Sequence, residues 1–187
     1  GDSGYGCWGD DAVVNYNGAY YGQMLNAVTP MIKAADPQAQ VWIGGLLLSS
    51  PLDSASSNRF LEGILTAGAA PYFDAVPYHW YAWYDPYNDQ VTPRRDYDLT
   101  WDKDWKLLGG GALGKAVFLT QRLTAFGVTK PLVMNEVALG CSERWAPVGS
   151  CIPALSDGFL QAQADFIPRA VMRAMKGSAV TTASTVP

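Results

Sequence analysis

The chain has 187 residues, 49% apolar and 16% charged, with 13 lysines and arginines against 17 aspartates and glutamates. That balance excludes intrinsic disorder and supplies material for a buried core. A net charge of −4 argues against nucleic-acid or anionic-membrane partners, which need clustered positive charge. The longest runs of apolar residues and glycines, Val41 to Leu48 and Leu107 to Gly114, are far short of a membrane span. The chain opens on polar residues, so no signal peptide is expected within it, any targeting segment being removed or lying outside.

In chain order, Asn15 to Ala35 carries Tyr20, Met24, Ala27, Met31 and Ile32 at helical spacing. Pro30 is expected to kink this helix, and Asp36-Pro37 to end it. Val41 to Leu48 (VWIGGLLL) has the length and apolar continuity of a strand buried on both faces. Asn58 to Ala67 predicts a helix with Phe60, Leu61, Ile64 and Leu65 inward, and Phe73 to His79 a short strand. The segment 80–110 has no period and reads as an aromatic-rich loop insertion. Gly111 to Phe126 predicts a helix capped by Gly127. Pro131 to Leu139 (PLVMNEVAL) predicts a third buried strand, Ser156 to Lys176 a helix bent at Pro168, and Ala179 to Val186 a last strand.

Strands alternating with helices place the chain in the α/β class, with parallel strands and outer helices in one domain over residues 1–187. An open doubly wound sheet and part of a (β/α)8 barrel both fit four such strands. No G-x-G-x-x-G follows a strand and no G-x-x-x-x-G-K-[ST] is present, so neither a dinucleotide nor a nucleotide phosphate site is expected. One histidine and no Cys-x-x-Cys leave too few ligands for zinc, and no metal or cofactor is expected.

Chemistry is then sought at strand ends. Glu136 stands inside an apolar strand, where a carboxylate is costly unless hydrogen-bonded or facing a cleft. His79 and Tyr81, two apart, project to the same side of their strand. From Tyr78 to Trp105 there are nine aromatics in 28 residues, against 12% aromatic overall, interleaved with six aspartates. Flat apolar rings beside hydrogen-bond acceptors suit a carbohydrate cleft, with a lid packed on the fold as the structural alternative. Cys141 and Cys151 have nine residues between them, a spacing that can close into a disulfide stabilising by roughly 2–3 kcal/mol. Three reduced, buried thiols are the alternative, and Cys7 is left over in either case.

Three stretches resemble the clan A glycoside hydrolases. Tyr21–Met24, Ile32-Lys33-Ala34-Ala35-Asp36-Pro37 and Val41-Trp42-Ile43-Gly44-Gly45-Leu46 look like that clan's fourth helix and fifth strand. Phe73-Asp74-Ala75-Val76-Pro77-Tyr78-His79-Trp80-Tyr81 is similar to its sixth strand, ending in His-x-Tyr, and Lys130-Pro131-Leu132-Val133-Met134-Asn135-Glu136 to its seventh, whose terminal glutamate is the nucleophile.

The resemblance implies a (β/α)8 TIM-barrel type, here a partial barrel of about four parallel strands with outer helices, the C-terminal half of a glycoside hydrolase. It implies a retaining mechanism, with carboxyl groups about 5–5.5 Å apart. Glu136 would be the nucleophile, Tyr81 would orient it, and His79 would contact substrate. Trp80, Trp83, Tyr84 and Asn135 are expected to bind an extracellular oligo- or polysaccharide. The clan's acid/base glutamate closes its fourth strand and has no counterpart here, nor has the tryptophan near the end of its eighth. The chain is therefore expected to be inactive alone and to associate with a missing barrel half, another copy or another protein. A secreted protein with a Cys141–Cys151 bridge is expected, and a non-catalytic carbohydrate-binding or structural protein is the alternative.

Overall fold

The computed structural model describes residues 14–52, 56–85, 95–141 and 156–183. After a short turn in which Asn15, Tyr16 and Asn17 take left-handed backbone (φ 56, 51 and 61°), helix α1 runs Gly18–Ala35. Helix α2 is Phe60–Thr66, and strand β1 is Val76–Trp83. Two one-turn helices follow, α3 (Tyr97–Thr100) and α4 (Lys103–Lys106), then α5 (Gly111–Ala125), strand β2 (Leu132–Gly140) and α6 (Asp157–Ala183). The chain falls into two compact units, Gly1–His79 with Val117–Asn135, and Trp80–Ala116 with Glu136–Pro187.

In the first unit α1 lies directly on α2. A Cβ on Gly18 would fall 2.0 Å from the carbonyl oxygen of Phe60, and one on Gly63 2.7 Å from the amide nitrogen of Ala19. Only glycines let the two backbones approach this closely. The buried face of α1 is accordingly Gly18, Gly22, Leu25 and Thr29, while Tyr20, Met31 and Ile32 are exposed. Pro30 is inside the helix, as its position in the sequence requires, and the neighbouring Thr29 hydroxyl donates to the carbonyl of Tyr72 at 2.8 Å. Asp74 ties three segments: its carboxylate accepts from the Val41 amide (2.7 Å) and from Lys33 (3.0 Å). The Val41 amide and then Lys33 outweigh the opposing effect of burial and lower the Asp74 pKa.

Among the described residues the four parallel strands of a partial barrel are not formed. The described residues hold one sheet of two strands, β1 and β2, and six α-helices. The strands are parallel: the Val76 amide donates to Pro131 (3.0 Å) at one end and the Tyr84 amide to Gly140 (2.8 Å) at the other. Val41 to Leu48 does run beside β1, but through two isolated parallel bridges, Trp42 to Ala75 and Leu46 to Tyr78. The reason is register. Ile43 and Leu46, three residues apart, donate to Ala75 and Pro77, two residues apart, so an extra residue at Gly44-Gly45 breaks the ladder. The last expected strand, 179–186, is helical through Ala183. Within α6, Gly177 packs against α5; a Cβ there would meet Ala116 Cβ at 2.8 Å.

The core of the second unit contains Trp80, Tyr84, Tyr97, Trp105, Phe159 and Phe166, each nearly inaccessible. The segment 80–110 thus contributes the end of β1, two capped helical turns and much of this core. Asp96 caps α3 by accepting from the Leu99 amide (3.2 Å), and Asp102 caps α4 through the amides of Asp104 (2.8 Å) and Trp105 (3.4 Å).

Candidate active site

Strand β1 alternates strictly towards its end. Tyr78, Trp80 and Ala82 are buried, His79 and Tyr81 are half-buried, and Trp83 is exposed. This is the period-two pattern of a strand with one open face. On β2, Asn135 and Glu136 are the exposed residues.

The parallel pairing brings Tyr81 and Glu136 together. The phenol donates to the Glu136 carboxylate at Oε2. Tyr81 is pushed up to about 12, first by this bond, then by burial, then by the carboxylate's charge, all of which favour the neutral phenol. Further along, Trp83 lies against the backbone of β2: a Cβ on Gly140 would fall 2.5 Å from its Cζ3. Trp83 keeps 37% of its surface exposed. The second unit therefore carries an exposed carboxylate held by a phenol, with an accessible indole on the same two strands.

The other residues singled out in the sequence are placed differently. Trp80 is 3% exposed, seated on Gly111, with the Lys115 ammonium 5.0 Å from its ring centroid. Tyr84 is buried edge-on to Phe159 at 5.5 Å. Both rings serve the core of the second unit. His79 and Asn135 belong to the first unit. The His79 ring rests on Gly45, where a Cβ would be 1.9 Å from Nε2, and its amide donates to Leu46 at 2.9 Å. Cys141 follows β2 directly, while Cys7 and Cys151 lie outside the described residues.

Among the described aspartates of the aromatic segment, Asp85, Asp96 and Asp98 are engaged with protein groups, while Asp89 lies outside the described residues. Asp85 pairs with Arg95 (3.5 Å). Arg173 reaches both oxygens of Asp96 (2.9 and 2.6 Å) and Oδ2 of Asp98 (2.7 Å), whose other oxygen accepts from the Ala112 amide (2.9 Å). Burial opposes ionisation of Asp96, but the Arg173 guanidinium prevails and its pKa is lowered; Asp96 in turn raises that of Arg173. Arg173 was not legible as a partner, because a lone arginine on a distant helix carries no sign of which acids it will meet. The Trp83 seat left a weak trace: Ala138 and Gly140 are small residues beyond Glu136 on its side of the strand.

Among the described residues no three His, Cys, Asp or Glu side chains are grouped to hold a metal ion, and no helix is long and apolar enough to cross a membrane. Compared with known protein families, curated proteins and solved structures, the chain matches none of them.

Proposed function

We propose that the chain is a glycoside hydrolase-like protein that acts on or binds extracellular oligo- or polysaccharide, with Glu136 as the carboxylate that meets the anomeric carbon. The observation that carries this reading is the phenol of Tyr81 donating to an exposed Glu136. A nucleophilic carboxylate needs a fixed orientation towards the sugar, and a neutral phenol fixes it without adding charge. Trp83 offers an exposed apolar face of the kind that a sugar ring covers. In a retaining displacement Glu136 bonds to the anomeric carbon while a separate acid protonates the departing oxygen, and the same group then activates water. That proton donor is proposed to lie outside this chain, supplied by a missing segment or a partner. Secretion and a Cys141–Cys151 bridge belong to the same proposal.

Binding without hydrolysis is a second reading, favoured by one observation. Asp85, Asp96 and Asp98, acids near the aromatic rings, are engaged with Arg95 and Arg173.

Glycan-array and calorimetric binding, followed by hydrolysis assays on the bound sugars, test the proposal. Glu136→Gln is expected to retain sugar binding and, in an assembly that turns over substrate, to lower the rate on the order of 10³-fold or more. An active assembly indifferent to Glu136→Gln overturns the assignment of the nucleophile. A wild-type chain that binds no glycan overturns the carbohydrate reading.

A further inference from the structure

Helix α6 is apolar on the side where an outer helix is ordinarily polar. Its inward face is Phe159, Ala162, Phe166, Ala170, Ala174 and Gly177, all buried. The outward face repeats the same period with Leu160, Ala164, Pro168, Val171, Met172 and Met175, all exposed and interrupted by Gln161, whose side chain donates to Asp165 at 3.4 Å. Met172 is 68% and Met175 64% exposed. An exposed stripe with two methionines, a leucine and a valine is of the kind that a partner covers.

The charges along α6 point to the cover, the acids Asp157 and Asp165 lying in its N-terminal half and the bases Arg169, Arg173 and Lys176 towards its C-terminal end. Asp157 and Lys176, both exposed, bracket the stripe with the acid at the N-terminal end and the base at the C-terminal end. The pair Asp157/Lys176 is centred between Phe166 and Ile167 and the pair Leu160/Met175 between Ile167 and Pro168, one residue apart on the same turn. A two-fold axis through that turn lays the stripe on itself antiparallel and brings each Asp157 to Lys176 of the second copy. A parallel arrangement puts like charges side by side. The helix dipoles also oppose favourably when antiparallel. At the centre, Ala164 and Pro168 are short enough for close approach, and an open depression lined by Pro168, Arg169, Met172 and Arg173 lies beside them.

We propose that the chain forms an isologous dimer in which α6 packs antiparallel on α6 of a second copy. This holds independently of the carbohydrate reading. Sedimentation velocity on the full chain, from about 1 to 100 µM, spans dissociation constants in the micromolar range. A concentration-dependent dimer is expected. Met172→Glu with Met175→Glu, at exposed positions that leave the circular dichroism spectrum unchanged, is expected to weaken it by about thirtyfold or more. Lys176→Asp alone should weaken the dimer severalfold, and adding Asp157→Lys should restore it. A chain monomeric throughout, a dimer indifferent to the methionine changes, or a charge exchange without restoration overturns the proposal.

Discussion

Tyr81 and Glu136 are 55 residues apart in sequence and share one hydrogen bond, made by adjacent parallel strands. The phenol is the donor, and Glu136, which accepts it, is one of the two exposed residues of β2. The bond therefore constrains a group that stays available to a ligand. Such an arrangement is local to two strands and needs no closed barrel around it.

The bond makes Tyr81 the late-ionising tyrosine of this site. A difference titration at the phenolate absorbance, wild type minus Tyr81→Phe, should show one group near 12 where ordinary tyrosines titrate near 10. Because the folded pKa is raised, the stability it contributes is complete below about pH 10 and is lost as pH rises through about 12. A difference signal centred on 10 would mean that the phenol does not hold Glu136.

The Arg173 cluster predicts a large stability effect. The Asp98 side chain is fully buried and meets Arg173 at 2.7 Å. Arg173→Met leaves that carboxylate in the interior without its counter-charge and should cost about 3–5 kcal/mol in urea unfolding. Adding Asp98→Asn removes the orphaned charge and should recover part of the loss. A single variant within experimental error of wild type would show that the ion pair does not matter to folding.

How far the sequence reaches can be judged from particular residues. Hydrophobic period located α2, α5 and the β2 segment, because each carries its own local pattern. It failed for Val41 to Leu48, where an apolar run of strand length met a Gly44-Gly45 register slip that only the neighbouring strand reveals. It also misjudged α1: the large residues at helical spacing face out, and glycines face α2. Close backbone packing rewards small side chains, and a reading weighted by hydrophobic size looks past them. The Tyr81 and Glu136 pair was legible only as two strand-end residues brought together by resemblance. Their hydrogen bond depends on the strand register.

The α1–α2 contact yields a sharper test of that point. Gly18→Ala adds a Cβ 2.0 Å from a backbone oxygen, an atom that cannot rotate away. The helices must separate, and a loss of roughly 1–3 kcal/mol is expected in thermal or denaturant unfolding. Gly68→Ala makes the contrast: its Cβ would meet nothing within 4 Å, so its cost is confined to the left-handed backbone at φ 73°. Equal effects of steric origin at both positions would contradict the packing described.

Peptide mapping under non-reducing conditions checks the proposed Cys141–Cys151 bridge. A linked pair of peptides, resistant to alkylation until reduced, is expected. Removing the bridge by Cys151→Ser should then cost roughly 2–3 kcal/mol, the loop-closure value for a short loop. If Cys141 and Cys151 both alkylate in the native, unreduced protein, the bridge and the export it argues for fall together.

The three aromatics Trp80, Trp83 and Tyr84 separate folding from recognition. Trp80 is 3% exposed and seated on Gly111, so Trp80→Ala empties a core site and should cost about 3–5 kcal/mol of stability. Trp83 rests on Gly140 and keeps 37% of its surface exposed, so Trp83→Ala should cost far less in unfolding. The lost stacking surface should instead weaken oligosaccharide binding roughly two- to tenfold, the range set by an aromatic face worth about 0.5–1.5 kcal/mol. Fluorescence titration with an oligosaccharide that the wild type binds, run beside urea unfolding of both variants, measures the two effects on the same material. Trp83→Phe keeps a flat ring and should bind nearly as the wild type does, which a purely structural role for the indole would not require. If Trp83→Ala leaves binding unchanged, the sugar does not lie on this ring, and the open face of β1 loses its claim as the platform beside Glu136.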